Sequence, residues 1–174
     1  MEFPGLEHLY HLDDQDRPTA MHVSIDTPLD LADFGLVASG LVERADLEFQ
    51  PVGGSRNFDL VPCKPLLELV SVRTQETMAP FSGWSTQAVA INGARSEMLA
   101  GYRLLVVRGR CGPFLDIRPA PYEYCRAYFD PSTWDGSDVF CPPRSSRVFV
   151  VEAVKAAIER AELSNIQFTA MADM

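Results

Sequence analysis

The chain has 174 residues, of which 47% are hydrophobic, a composition that excludes an intrinsically disordered protein and allows one domain with a proper core. The first residues have neither the basic nor the apolar region of a secretory signal, and no apolar run is long enough to cross a bilayer. The formal net charge of −9 disfavours nucleic acid and anionic membranes as partners, and we expect a soluble cytoplasmic protein.

Residues 1–174 are predicted to form a single α+β domain. Thirteen prolines and eleven glycines divide the chain into short elements, which argues against a helix bundle. Predicted strands outnumber helical segments, so we expect a mixed or antiparallel sheet with few helices and a strand–helix–strand unit at residues 147–169.

In the first half of the chain, alternating apolar residues predict strands, and short segments next to polar caps predict helical turns. The strands are expected at residues 21–25, 47–52 and 57–61, and the helical turns at residues 30–35 and 38–45. Two prolines interrupt the next segment, so residues 66–72 are expected to form an edge strand or an irregular segment. Residues 1–18 are polar and rich in turns, with a few apolar residues that could pack as a short element.

The second half gives clearer predictions. Residues 102–107 are apolar on both faces and predict a central strand, and residues 119–143 predict an ordered loop that covers the core. The tail predicts a strand at 147–151, a helix at 152–163 and a last strand at 166–169, and the two strands could pair in parallel. The helix should bury one face, formed by Val154, Ala157, Ile158 and Ala161.

The charge is unevenly distributed. Residues 1–87 contain 14 acidic and 5 basic side chains, whereas residues 88–174 contain 10 of each. An acidic surface in the first half would speed encounter with a basic partner, although acidic surfaces also serve solubility alone. Six acids in loops and short helices around the first strands are the candidate partner-binding residues: Asp26, Asp30, Asp33, Glu43, Asp46 and Glu48.

The residue types that carry catalysis or bind metals do not form a recognisable motif. His8 and His11 are interpreted as surface or loop residues, and the acids at positions 13, 14 and 16 as a solvated turn, because the glycine and glutamate of a calcium loop are missing. The four cysteines are interpreted as thiols rather than as a disulfide framework or a zinc site: Cys63, Cys111, Cys125 and Cys141. We therefore expect no catalytic residue, no metal and no cofactor.

Asp135 and Asp138 are the strongest candidates for acid–base chemistry, because paired carboxylates can exchange protons or hold magnesium. Their setting favours a structural role. Asp135 and Gly136 form a typical turn dipeptide, and Ser137 and Asp138 can cap backbone amides.

The segment from this turn to the end of the chain resembles a bacterial domain-of-unknown-function family that is grouped with the immunity proteins of polymorphic toxin systems, the immunity families numbered eleven and forty-three. In that family a "GSDIF"-like turn, matched by residues 136–140, precedes a strand resembling "ifvT", matched by residues 148–151. A helix rich in Lys, Ala and Glu then leads to a "glt.v.F" strand, and residues 154–168 match both. Two residues depart from the pattern: Val151 stands where Ser or Thr is usual, and Asn165 where glycine is commoner.

A looser match covers the middle of the chain, where residues 47–52 and 58–61 resemble the "veflPv…ydlvn" stretch of the same family. The resemblance implies a non-enzymatic immunity protein or antitoxin that neutralises a cognate toxin domain by protein–protein contact. The alternative is a small cytoplasmic hydrolase or transferase whose site the motifs do not reveal. No feature of the sequence indicates an oligomeric state.

Overall fold

The structure is a computed structural model that describes residues 6–64, 67–117, 126–143 and 145–174. Within these ranges the fold is α+β, as predicted, with three α-helices and many short strands. The helices are α1 (Leu31–Ala38), α2 (Val72–Met78) and α3 (Glu152–Arg160). The strands are β1 (Leu9–Asp14), β2 (His22–Ile25), β3 (Glu48–Gly53), β4 (Leu60–Lys64), β5 (Leu67–Val70), β6 (Trp84–Gln87), β7 (Ala90–Ile91), β8 (Arg103–Val107), β9 (Gly109–Arg110), β10 (Leu115–Ile117), β11 (Arg126–Tyr128), β12 (Val139–Cys141), β13 (Val148–Val151) and β14 (Ile166–Ala170).

Seven strands form one mixed sheet in the order β6-β8-β5-β4-β2-β3-β7. Its two edge strands, β6 and β7, are consecutive in the chain and separated only by residues 88–89. Because consecutive Cα atoms lie about 3.8 Å apart, the ends of these strands are within about 11 Å of each other, and the sheet must curl. The predicted central strand is confirmed, since β8 lies between β5 and β6.

Helix α1 packs against one face of the curled sheet. Phe34 and Val37 of the helix belong to one buried cluster with Val23, Phe49 and Leu69 of the strands. Asp30 begins the helix as predicted, because its carboxylate accepts a hydrogen bond from the backbone N–H of Asp33 at 2.9 Å.

The five-stranded sheet has the order β14-β1-β13-β12-β9. Strand β1 pairs antiparallel with β13 on one side and with β14 on the other. The strand–helix–strand unit of the tail is confirmed, and its two strands run parallel, but they do not pair because β1 lies between them. Residues 9–14 of the amino-terminal segment, expected to be mainly polar turns, therefore form an interior strand of the carboxy-terminal sheet.

The second face of the seven-stranded sheet packs against the five-stranded sheet and α3. The cluster between them includes Leu60 and Val70 from the first sheet and Val148 and Val150 from the second. Val154 and Ile158 of α3 are buried in the same cluster as predicted. Ala157 and Ala161, also expected on the buried face, remain partly exposed, and of the two only Ala161 packs against the cluster. A third cluster, rich in phenylalanine, lies on the other face of the five-stranded sheet.

Four local predictions are wrong, and each error has a physical reason. Helix α1 continues through Gly35 to Ala38 because it packs on the sheet, so turns and bends from Ser39 onward, with Gly40 at a φ of 65°, replace the expected second helix. Residues 67–70 form an interior strand rather than an edge strand, because β4 and β8 pair with both of its sides. The strand expected at residues 57–61 begins only at Leu60, because its pairing with β5 starts there, with Leu60 opposite Val70.

The fourth error concerns residues 119–143, which were expected to be a loop. Strand β12 lies within this stretch and is fully buried between β13 and β9. Residues 118–125 lie outside the described residues. No helix in the described part of the chain is long and apolar enough to cross a membrane.

Candidate functional site

The six acids predicted to bind a partner lie on two segments that the structure brings together, residues 26–33 and 43–48. The hydroxyl of Thr27 donates to the carbonyl of Asp46 at 2.8 Å, and the backbone N–H of Asp26 donates to the carbonyl of Glu48 at 2.9 Å. Five of the six side chains are exposed, and Asp33 is half-buried. We call these six residues the acidic surface.

Several of these acids already have a structural partner. Glu43 forms an ion pair with Arg108 at 3.0 Å, and Asp46 accepts two hydrogen bonds of 2.7 Å from Arg44. These hydrogen bonds lower the pKa of the Asp46 carboxyl. Asp30 serves as the cap of α1. Two arginines, Arg44 and Arg108, therefore pair with the acidic surface and partly offset its charge.

Two apolar side chains lie exposed beside these acids. Leu41 is 61% exposed and Val42 is 40% exposed, immediately before Glu43 in the chain. A loop that follows a buried helix commonly exposes polar residues, so an adjacent apolar pair in solvent is a candidate contact surface. An interface of apolar anchors with a charged rim has this composition.

A second feature is a cleft of about 420 Å³ at the junction of the two sheets. Its polar lining consists of His11, Asp13, Asp14, Glu68, Ser146 and Arg147. Strand β1 supplies the first three, β5 supplies Glu68, and the last two immediately precede β13. Leu12, Pro62, Leu67 and Met174 add apolar walls, and this volume falls within the range of small-molecule sites.

Glu68 occupies an unusual position for a carboxyl group. It pairs with Pro62 across β4 and β5, on the sheet face that also carries Leu60 and Val70, and this face packs against the other sheet. Its Oε2 atom is sealed from solvent and has no hydrogen-bond partner among the described residues. Burial, together with the charges of Asp13 and Asp14, raises the pKa of Glu68 to about 8, so the group is mainly protonated at neutral pH.

Sequence reasoning missed this cleft. His11, expected on the surface, is half-buried in β1 with its ring 5.5 Å from that of Phe149, while His8 is exposed as predicted. Burial lowers the pKa of His11, and the positive charge of Arg147 acts in the same direction. Asp13 and Asp14 end a strand rather than form a solvated turn, and both are half-buried.

The described cysteines are buried thiols: Cys63, Cys111 and Cys141. Burial raises the pKa of Cys63 and of Cys111 to about 12 and also raises that of Cys141. A neutral thiol is a poor nucleophile, so none of the three is activated for catalysis. Cys125 lies outside the described residues. Among the residues that the structure describes, no group of three His, Cys, Asp or Glu side chains is placed to hold a metal ion.

The turn at residues 134–140 has the structural role that its sequence predicts. Asp138 accepts hydrogen bonds of 2.8 Å from both the backbone N–H and the hydroxyl of Ser82. Asp135 accepts from the backbone N–H groups of Arg110 at 2.8 Å and of Ser137 at 2.9 Å. Both carboxylates therefore fix backbone segments and are not directed at a shared reactive atom.

No protein-family model matches this chain, and no curated protein matches it. The resemblance of the tail to immunity proteins therefore stays a prediction from the residues that carry it.

Proposed function

We propose that this protein is a non-enzymatic immunity protein, or antitoxin, which acts in the bacterial cytoplasm by binding a cognate toxin domain. The observation that carries the proposal is the acidic surface with Leu41 and Val42 exposed beside it. The acids would steer a basic toxin domain into contact, and the apolar pair would slow its dissociation. Neither nucleic acid nor membrane fits a partner surface of this charge.

The two positions at which the tail departs from the family pattern also support the proposal. Asn165 has a φ of 61°, a conformation that glycine adopts without strain and that asparagine tolerates better than most residues. Val151 is the cap residue of α3, where a Ser or Thr hydroxyl would accept a backbone hydrogen bond. The usual family residues are thus the ones that this local geometry favours.

The aromatic segment at residues 122–129 is a weaker candidate for the contact surface. Residues 122–125 lie outside the described residues, and Phe129 is fully buried in the phenylalanine-rich cluster. A buried ring cannot anchor a partner without unfolding its surroundings.

The test is a charge reversal that spares the capping acid and the two acids paired with arginine, and the only side-chain hydrogen bond it removes among the described residues is the exposed one from Gln50 to Asp26. Asp26, Asp33 and Glu48 are replaced together by Lys, which leaves the cap Asp30 and the paired Glu43 and Asp46 in place. A matched control replaces three exposed acids elsewhere: Glu76, Glu97 and Glu162. The partner is the carboxy-terminal domain of the toxin encoded beside this gene, and its association rate is measured by stopped-flow at several salt concentrations.

We expect the first variant to associate at least about tenfold more slowly, with a weaker salt dependence, because electrostatic steering is lost. The control should associate like the unaltered protein. Separately, Leu41→Ser should raise the dissociation rate and leave association unchanged. Equal association by both charge variants, or turnover of a substrate that one polar substitution abolishes, would contradict the proposal.

A further inference from the structure

We infer that the cleft between the two sheets binds an organic cation, an ammonium or guanidinium group on an aliphatic stem, through Asp13, Asp14 and Glu68. This inference goes beyond the proposed function and does not depend on it, because the acidic surface and the cleft share no residues. The chemistry of the ligand follows from the residues that line the cleft.

The cleft carries three carboxyl groups and one exposed guanidinium, that of Arg147. Within the described residues none of the three carboxyls forms an ion pair. Asp13 and Asp14 accept only local backbone hydrogen bonds, from Asp14 and Asp16 at 2.9 Å each. Arg147 instead lies over the ring of Phe114, at 5.8 Å from its centroid. Apart from Arg147, the negative charge of the cleft thus has no counter-charge among these residues.

Glu68 provides the independent sign of a ligand. Glu68 is half-buried in the wall of the cleft, and its Oε2 atom is shielded from solvent without a hydrogen-bond donor among the described residues, which costs free energy. An ammonium or guanidinium group in the cleft supplies N–H donors to the accessible side of this carboxyl and the counter-charge together. The apolar walls formed by Leu12, Pro62 and Leu67 suit the carbon stem that carries such a group.

An organic cation fits the cleft better than a metal ion does. The described part of the chain holds no set of ligands at metal-binding positions, whereas a volume of about 420 Å³ accommodates an organic group of several atoms. The cation can come from a free amine or guanidine, or from a Lys or Arg side chain of a partner protein. Both sources present the same group.

Binding should be coupled to proton release. Glu68 shares the lining of the cleft with Asp13, Asp14 and His11 of β1, the Cys63 thiol of β4, and Arg147 ahead of β13. With a pKa of about 8, Glu68 holds a proton at pH 7, and a cation favours the ionised form. The proton passes to solvent, so roughly one proton is released at pH 7 and affinity rises with pH until about 8.

The test is calorimetric titration with n-butylguanidinium and n-butylammonium, with n-butanol as the neutral control. Titration in two buffers of different ionisation enthalpy counts the protons released. Glu68→Gln should bind at least about tenfold more weakly and release no proton, as expected when a charge-assisted hydrogen bond is lost. Glu76→Gln, an exposed carboxyl outside the cleft, is the matched control and should bind like the unaltered protein.

A second variant, with Asp13→Asn and Asp14→Asn together, keeps the test informative if Glu68→Gln folds poorly, and it should also weaken binding. A third ligand, the capped peptide acetyl-Gly-Arg-Gly-amide, distinguishes the sources. Tighter binding of the peptide supports a partner's side chain, and binding of the free cations alone supports a metabolite. No binding of either cation at millimolar concentration, or equal binding by the Glu68→Gln variant, would overturn the inference.

Discussion

Two carboxyl groups on neighbouring segments, the buried Asp59 and the half-buried Glu68, have opposite surroundings. Asp59 immediately precedes β4 and accepts from the Ser71 hydroxyl at 2.7 Å and from the N–H and hydroxyl of Ser164 at 2.8 Å each. Arg73 adds an ion pair at 3.2 Å. Glu68, in β5, has an oxygen without any such donor among the described residues. The first carboxyl holds elements together, and the second does not.

The pKa values of the two groups move in opposite directions for this reason. Burial alone would raise the pKa of Asp59, but the hydrogen bonds from Ser164 and Ser71 and the charge of Arg73 outweigh it, and the pKa lies below its usual value. Around Glu68 burial and the charges of Asp13 and Asp14 act in the same direction, and the pKa rises to about 8. Burial of a carboxyl therefore does not indicate its role until its donors are known.

The largest expected effect is that of Asp59→Ala. The substitution leaves the buried hydroxyl of Ser71 and the N–H of Ser164 without their acceptor, and each such loss costs about 1–3 kcal/mol. We expect the free energy of unfolding, measured by urea denaturation, to fall by about 3–5 kcal/mol at pH 7. The effect should shrink in acid, because stability from a lowered pKa is present above the unfolded-state pKa and lost as pH falls through the folded one.

The control for this variant is Asp46→Ala, which removes an exposed carboxylate paired with Arg44. Exposed ion pairs contribute little, so its unfolding free energy should stay close to that of the unaltered protein. Similar losses for both variants would show that the Asp59 cluster is no more important than a surface ion pair.

The second effect concerns Glu68 and has the opposite dependence on pH. Its folded-state pKa of about 8 lies above the value of 4.5 for the free side chain, so the folded protein holds a proton that the unfolded chain releases. The contribution of this group to the free energy of unfolding is fully present below pH 4.5 and is lost as the pH rises through 8. The slope is at most roughly 1.4 kcal/mol per pH unit.

Glu68→Gln keeps the shape and removes the titration, so the variant should gain stability relative to the unaltered protein between pH 5 and pH 8. Thermal unfolding at those two pH values measures the difference. If the two proteins differ in stability by the same amount at pH 5 and at pH 8, Glu68 is ionised in the folded protein and its contrast with Asp59 does not hold.

The sequence predicts features that depend on local patterns and misses those, such as the setting of Glu68, that depend on distant parts of the chain. The helix face of Val154 and Ile158 and the apolar strand at residues 102–107 were recognisable because their patterns are local. The pairing of β1 with β13 and β14 joins distant residues and follows no local pattern. Glu68 stands between Leu67 and Leu69, an alternation that normally means a solvated face. Only the second sheet, which covers that face, makes its carboxyl buried.

The smallest expected effect extends the comparison to the helix starts. Asp30 caps α1 and Ser71 caps α2, because each side chain accepts a hydrogen bond from a backbone N–H. Ser71 also belongs to the Asp59 cluster. Val151, at the start of α3, has no side-chain oxygen that could accept such a bond. Val151→Thr keeps a β-branched shape and adds the acceptor, so we expect it to stabilise the protein by about 0.5–1 kcal/mol in urea denaturation. Val151→Ala, which removes apolar contacts without adding an acceptor, should destabilise it.

Val151 packs against two buried clusters, so the threonine hydroxyl must reach an N–H of the first turn to offset its own burial. A threonine variant no more stable than the unaltered protein would mean that this N–H is out of reach, and that the chain holds valine there for packing.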